Sequence, residues 1–237
     1  MNEGRVLRLI VAVTAIGAAV AVAFAPLYAR LSAVAAAAAV AALALVAFFL
    51  LNENVPSDET RIVAVAVMTA AATAGRAAFF FAPSFKPVAA VVILCGAYFG
   101  CGSGFLCGAL SMLISNFLFG QGPWTPFQML GMGLTGLGAG LLRPVAKVPV
   151  LAVWGVVSAY VYGALTDIWT LFSLGEAATF RAYLAVAAAG IPSSTVLAVS
   201  TLIFIIVLGA PFMGKFERLR RRYGLGEGKA RKKDRAA

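Results

Sequence analysis

The chain has 237 residues, of which 62% are hydrophobic and 12% are charged, and its mean hydropathy is +0.96. Soluble domains carry roughly 25% charged residues, and several apolar runs here approach the roughly 20 residues that cross a bilayer. The composition therefore excludes an ordinary soluble domain and predicts an all-α polytopic membrane protein.

The scarcity of reactive side chains excludes several chemistries. The sequence has no histidine, which removes the commonest general base and metal ligand. Cys95, Cys101 and Cys107 fit neither a zinc pattern nor a disulfide framework. There is no phosphate-binding loop of the P-loop type, and the acidic residues do not cluster. We expect no catalytic residues, no metal and no cofactor, and hence no enzyme.

The net charge of +10 is concentrated at one end of the chain. Ten of the nineteen basic residues lie between Lys215 and Arg235. A basic tail after the last apolar run is typical of a cytoplasmic terminus and of attraction to anionic lipid. We therefore expect the lipid bilayer as a partner and no nucleic acid.

The apolar runs predict about eight spans. Residues 88–119 are too long for one crossing, because about 32 helical residues rise roughly 48 Å against a core of roughly 30 Å. The Gly100–Gly104 cluster is the natural place for a turn, and Pro192 should kink the last run. The predicted spans cover residues 6–28, 31–51, 61–81, 88–100, 104–119, 126–142, 147–171 and 182–212.

Charge patterning predicts one orientation of the chain. Eight spans place both termini on one side, and the distribution of Lys and Arg puts that side in the cytoplasm. The connections 82–87, 120–125 and 173–179 then share the outer face.

The stretch from Phe119 to Gln128 contains two glycines and two prolines, which cannot continue a helix, so it is a connection between two spans. It carries no charged residue, unlike an ordinary solvated loop. Its polar and stacking side chains are Gln121, Trp124, Thr125 and Gln128. Irregular backbone at membrane depth lines protein or a cavity, so we interpret this stretch as the rim of a ligand cavity. The alternative is a tight interfacial turn anchored by Trp124.

Two ionisable residues, Arg76 and Asp167, lie within predicted spans, where charge is costly and often functional. Asn116, Gln128 and Trp169 fall at the same predicted depth. These residues favour a pocket with a few polar groups among aromatic walls. The alternatives are an ion pair between Arg76 and Asp167, or an Arg76 that extends to headgroups. For Lys86 we expect a headgroup contact.

Small residues recur four apart, a spacing that lets helix backbones approach closely. Glycines 96, 100, 104 and 108 show it, as do glycines 136 and 140. Ala66, Ala70 and Ala74 make a similar stripe in the third run. Intramolecular packing is the ordinary explanation for such stripes.

Several of these motifs together resemble the substrate-binding S component of energy-coupling factor vitamin transporters, and the cobalamin-type branch in particular. They are Gly75-Arg76, Lys86-Pro87, the glycine-rich turn, Pro123-Trp-Thr-Pro-Phe-Gln128 and Asp167-Ile-Trp169. The resemblance covers about residues 61–212, the family's six-helix core. It implies a division of the chain into a two-span hairpin with a linker at residues 1–60, this core, and a basic tail at residues 213–237. The preceding two-span hairpin departs from the six-helix pattern.

The resemblance implies a prokaryotic cell-membrane subunit that captures a vitamin-like solute, with cobalamin or a corrinoid as the best guess. It implies partners too: a transmembrane T component, which would pack on the stripe formed by Ala66, Ala70 and Ala74, and two cytoplasmic ATPases. Substrate contacts would come from Arg76, Asn116, Gln121, Trp124, Thr125, Gln128, Asp167 and Trp169.

Two other functions stay open from the sequence. One is a proton-coupled secondary transporter in which Asp167 carries the proton. The other is a non-catalytic interaction protein, whose polar cluster should then be a closed ion pair without a cavity.

Overall fold

A computed structural model describes residues 59–173 and 179–223 of the chain. The predicted spans 6–28 and 31–51 lie outside these residues, as does the tail from residue 224. All the regular structure within the described ranges is helical. The elements are α1 (Glu59–Ala78), α2 (Val88–Phe99), α3 (Cys101–Phe119), α4 (Thr125–Leu141), a 3₁₀ turn (Arg143–Val145), α5 (Val148–Ser173) and α6 (Phe180–Tyr223).

Three of these helices have the length and composition of membrane spans: α3, α5 and residues 180–212 of α6. The apolar part of α1 and the whole of α2 are shorter. The six helices of the predicted core are thus present, whereas the total of eight spans stays a prediction.

The turn predicted over Gly100–Gly104 is confined to Gly100. Gly100 ends α2 and precedes α3 with φ 91°, a conformation that favours glycine. The prediction was wrong for residues 101–103, which are already helical. One glycine at positive φ is enough to reverse the chain here, because the two helices fold against each other at their own glycines.

The last predicted span, residues 182–212, agrees with the span-like part of α6 at residues 180–212. The helix itself continues to Tyr223, through both Pro192 and Pro211. The sequence after Pro211 is rich in Lys, Arg and Glu, which are good helix formers. The start of the predicted basic tail is therefore a helical extension.

Helix α2 is the centre of the bundle. It contacts each of the other five helices, and its residues from Val88 to Ala97 are all buried. No polar or charged face interrupts it, and a helix that is apolar all round is stable only when it is surrounded.

Glycines bring α2, α3 and α4 into backbone contact, which confirms that the glycine spacing serves packing within the chain. A Cβ added at Gly96 would lie 2.0 Å from the carbonyl oxygen of Gly136, and one added at Gly136 would lie 2.1 Å from that of Gly104. Only glycine fits at such approaches. We call one end of the bundle the Gly100 end; there a Cβ on Gly140 would meet Cys101. We call the opposite end, where α1 finishes with Arg76 in its last turn, the Arg76 end.

Candidate functional site

Arg76, in the last turn of α1, is the buried cation of the Arg76 end, with 9% of its surface exposed. Its Nη1 donates to Asn116 Oδ1 at 2.8 Å and to the hydroxyl of Ser115. Its guanidinium lies over the Phe119 ring, 4.6 Å from the centroid. All these partners are neutral, so the positive charge of Arg76 is not balanced by any described residue.

Asn116 connects Arg76 to the first turn of α4 and, through it, to the loop before α4. Its amide donates to Gln128 Oε1 at 2.8 Å and to Thr125 Oγ1 at 3.0 Å. Thr125 in turn donates to Gln121 Oε1 at 2.9 Å, and Gln121 donates to the carbonyl of Leu113. We call Arg76, Asn116, Thr125, Gln128 and Gln121 the Asn116 network. Five of the eight predicted substrate-binding residues are therefore joined by hydrogen bonds, most of them to other members of the same network.

Beside this network lies a cavity of about 170 Å³. Its lining comes from all six helices and from the α1–α2 loop, so the whole bundle shapes it. Half of the lining residues carry polar groups and the other half are apolar. They are Arg76, Ser84, Lys86 and Tyr162 on the polar side, and Val88, Met112, Met132 and Leu197 on the apolar side.

Lys86 lines the cavity, a place that we did not expect for it from the sequence. Its ammonium lies 4.5 Å from the centroid of the same Phe119 ring that Arg76 covers. Partial burial lowers the pKa of Lys86 from its ordinary value, and the nearby positive charge of Arg76 lowers it further. A signal for this role was present, since Lys86 is the only charged residue between Arg76 and Arg143.

The α1–α2 loop is held in a tight conformation that presents Lys86 and Ser84 to the cavity. Ser84 has φ 60°, and the amide of Phe85 donates to the carbonyl of Pro83 at 2.8 Å across it. The carbonyl of Lys86 accepts a hydrogen bond from Ser200 of α6 at 3.0 Å. Strained residues of this kind persist where the surroundings hold them, often at ligand sites.

Asp167 does not pair with Arg76, so the expected alternative of an ion pair between them is wrong. No described cation contacts the Asp167 carboxylate. It lies instead against α6, where a Cβ on Gly190 would come within 2.6 Å of Oδ2. Asp167 thus lies on α5, which contributes Tyr162 to the cavity, but its carboxylate faces Gly190 of α6.

Trp124 and Trp169 contact each other and form an aromatic cluster separate from the cavity lining. Their ring centroids are 6.1 Å apart, and Trp169 also lies 6.5 Å from Phe127. Trp124 folds back over Gly122, where a Cβ would meet its ring at 2.2 Å. The loop from 120 to 124, which connects α3 to α4, therefore contacts α5 through Trp124, and neither indole lines the cavity.

The alanine stripe lies on the outer surface of α1. Ala66, Ala70 and Ala74 are all exposed within the described part of the chain. The neighbouring Ile62 and Val67 are each about 60% exposed as well. This face of α1 is smooth and apolar, in contrast to the face that carries Arg76.

The chain belongs to a family of unknown function (DUF6580), which matches residues 56–227. The match begins just before α1 and ends just after α6, so the six-helix bundle is the family's shared unit. No curated protein and no solved structure shows a significant match.

Proposed function

We propose that this chain is a non-catalytic, membrane-embedded substrate-binding subunit of an energy-coupling factor type transporter. The observation that carries the proposal is the cavity, to which every one of the six helices contributes a lining residue. A pocket shaped by a whole bundle and containing a few convergent polar groups is the arrangement expected for a small-molecule site.

The cavity favours a small solute over the corrinoid suggested by the resemblance. Pockets for drug-sized ligands measure roughly 300–1,000 Å³, and this cavity measures about 170 Å³. A corrinoid exceeds drug-sized ligands, so it would need helices that are packed through their glycines to separate. We therefore propose a compact micronutrient or precursor as the solute.

The exposed stripe on α1 supports a role for partner subunits. A smooth surface of small side chains lets another helix approach closely, and Ala66, Ala70 and Ala74 provide one on the side of α1 away from Arg76. We propose that the T component docks there and that partner ATPases in the cytoplasm supply the energy.

A screen and an uptake assay test this proposal in sequence. Purified full-length protein in detergent is first screened by thermal unfolding against vitamins and their precursors, because a ligand that binds only the folded state raises its stability. The stabilising solute is then offered to proteoliposomes that contain the chain with or without a T component and ATPases. Uptake that requires the partners and ATP supports the proposal, and uptake by the chain alone contradicts it.

One observation favours a second candidate, the proton-coupled secondary transporter. The Asp167 carboxylate lies between α5 and α6 without a described cationic partner, as a group that exchanges protons would. Uptake that is driven by a proton gradient in the absence of ATPases, and lost in Asp167→Asn, would support this candidate instead.

A further inference from the structure

The Arg76 end concentrates positive charge around the cavity without an acidic counterpart. Arg76 and Lys86 both line it, and both lie over one ring, that of Phe119. No carboxylate of the described residues contacts either cation. Two like charges held over one ring repel each other, so this arrangement is unfavourable unless something negative is bound.

Arg76 also has N–H donors that form no hydrogen bond within the described residues. A guanidinium has five N–H donors, and the hydrogen bonds to Ser115 and Asn116 both start from Nη1. The donors on Nε and Nη2 have no acceptor among the described residues. A planar fork of this kind matches a carboxylate or a phosphate in geometry as well as in charge.

The beginning of α2 adds a third positive element. Val88, its first residue, lines the cavity, and the first backbone bond of the helix is from the amide of Val91 to Pro87. The amides of Val88, Ala89 and Ala90 precede that bond, no side chain caps them, and no acidic residue lies in the first turn. An uncapped, buried helix N-terminus is a favourable place for an anion.

We infer that the cavity binds an oxyanion, a carboxylate or phosphate group of a small solute, between Arg76, Lys86 and the N-terminus of α2. The inference rests on the proposed function and narrows its ligand to acidic solutes. A water occupies about 30 Å³ in the liquid, so a cavity of about 170 Å³ has room for a phosphate or a short carboxylic acid. The hydroxyls of Ser84 and Tyr162 complete the polar lining.

The test measures binding of two simple anions to the full chain in an uncharged maltoside detergent. Inorganic phosphate and propionate are titrated while thermal unfolding is followed, with propionamide as the neutral match and sodium chloride as the ionic-strength control. The variants are Arg76→Gln and Lys86→Gln. Lys147→Gln is the matched control, because Lys147 is exposed at the Gly100 end.

We expect saturable stabilisation by at least one anion and none by propionamide. Losing one charge-assisted contact should weaken the affinity roughly tenfold or more in Lys86→Gln, whereas Lys147→Gln should behave like the wild type. Lys86 forms no hydrogen bond through its side chain in the described residues, so this variant tests the site even if Arg76→Gln fails to fold.

Three results would overturn the inference. Equal anion affinity in the wild type and Lys86→Gln, or no anion binding at all, would exclude an oxyanion site; a neutral solute that stabilises the protein would then leave the binding function intact. Stabilisation by added phosphatidylglycerol alone, dependent on Lys86, would identify the anion as a lipid headgroup and exclude a soluble ligand.

Discussion

The guanidinium of Arg76 donates a 2.8 Å hydrogen bond to the side-chain oxygen of Asn116, 40 positions further along the chain. This bond joins the end of α1 to the end of α3, and Asn116 passes the connection to Thr125 and Gln128 of α4. Because Asn116 is neutral, the bond fixes the direction of Arg76 without cancelling its charge. The first prediction follows from that neutrality.

Asn116→Asp should abolish oxyanion binding while keeping the protein folded. The new carboxylate can still accept from Arg76. It can no longer donate to Gln128, but the Gln128 amide can turn so that its nitrogen donates instead. The carboxylate neutralises the charge that the ligand would meet. Asn116→Ala should instead destabilise the protein by about 1–3 kcal/mol, because it leaves buried partners unsatisfied. Thermal unfolding with and without phosphate distinguishes the two effects, and retained phosphate affinity in Asn116→Asp would contradict the role given to Arg76.

Gly136→Ala should destabilise the bundle by about 1–3 kcal/mol, the usual cost of overpacking. The added methyl group would lie 2.1 Å from the carbonyl oxygen of Gly104, so α3 and α4 would have to separate. Gly214→Ala is the matched control, since Gly214 also lies in a helix and a Cβ there meets nothing within 4 Å. Similar unfolding temperatures for the two variants would contradict the close packing of these helices.

The pH dependence of oxyanion binding should follow the protonation of Lys86. Its pKa is lowered in the folded protein, so the lysine loses its proton at a lower pH than the ordinary value of about 10.4. Oxyanion affinity should therefore decline as the pH rises through this lowered pKa. Without ligand, the folded state disfavours the protonated lysine. The free energy of unfolding should therefore increase as the pH rises from the lowered pKa of the folded state to the ordinary pKa of the unfolded state.

The comparison that isolates these pH effects is between the wild type and Lys86→Gln. Both slopes should be absent from the variant, because it has no group that titrates at this position. Parallel pH profiles for the two proteins would show that another group is responsible.

Ala70→Trp should separate docking from binding. Ala70 is exposed on the side of α1 away from the cavity, so the variant should bind its solute normally and lose uptake that depends on the partners. Ala189→Trp, which changes an exposed alanine of α6, is the control. Unimpaired ATP-dependent uptake in Ala70→Trp would exclude this face as the docking surface.

Asp167→Asn should leave oxyanion affinity unchanged, because Asp167 lies against Gly190 and does not line the cavity. The family resemblance implies the opposite, because it places Asp167 among the substrate contacts, whose removal should weaken binding. Isothermal titration with the two proteins decides between the predictions. A clear loss of affinity in the variant would return Asp167 to the site.

The sequence predicted the positions of the six helices well, because apolar runs and Gly or Pro breaks determine where spans begin and end. It also predicted that Arg76, Asn116 and Gln128 reach one depth. Depth along a helix does not specify direction around it, so depth alone could not show that Asp167 and Trp169 lie outside the lining of the cavity beside Arg76. The sequence did predict a connection at residues 82–87. It could not predict that this loop turns at Ser84 or that a hydrogen bond from Ser200 to the Lys86 carbonyl holds it.

The most direct measurement is the identity of the small molecule released when the purified full-length protein is denatured. Mass spectrometry of the released fraction should find one small acidic solute, near one per protein, in the wild type and in Lys147→Gln. It should be strongly depleted in Lys86→Gln. A neutral solute, or the same acidic solute at equal amounts in Lys86→Gln, would contradict an oxyanion site built on Arg76 and Lys86.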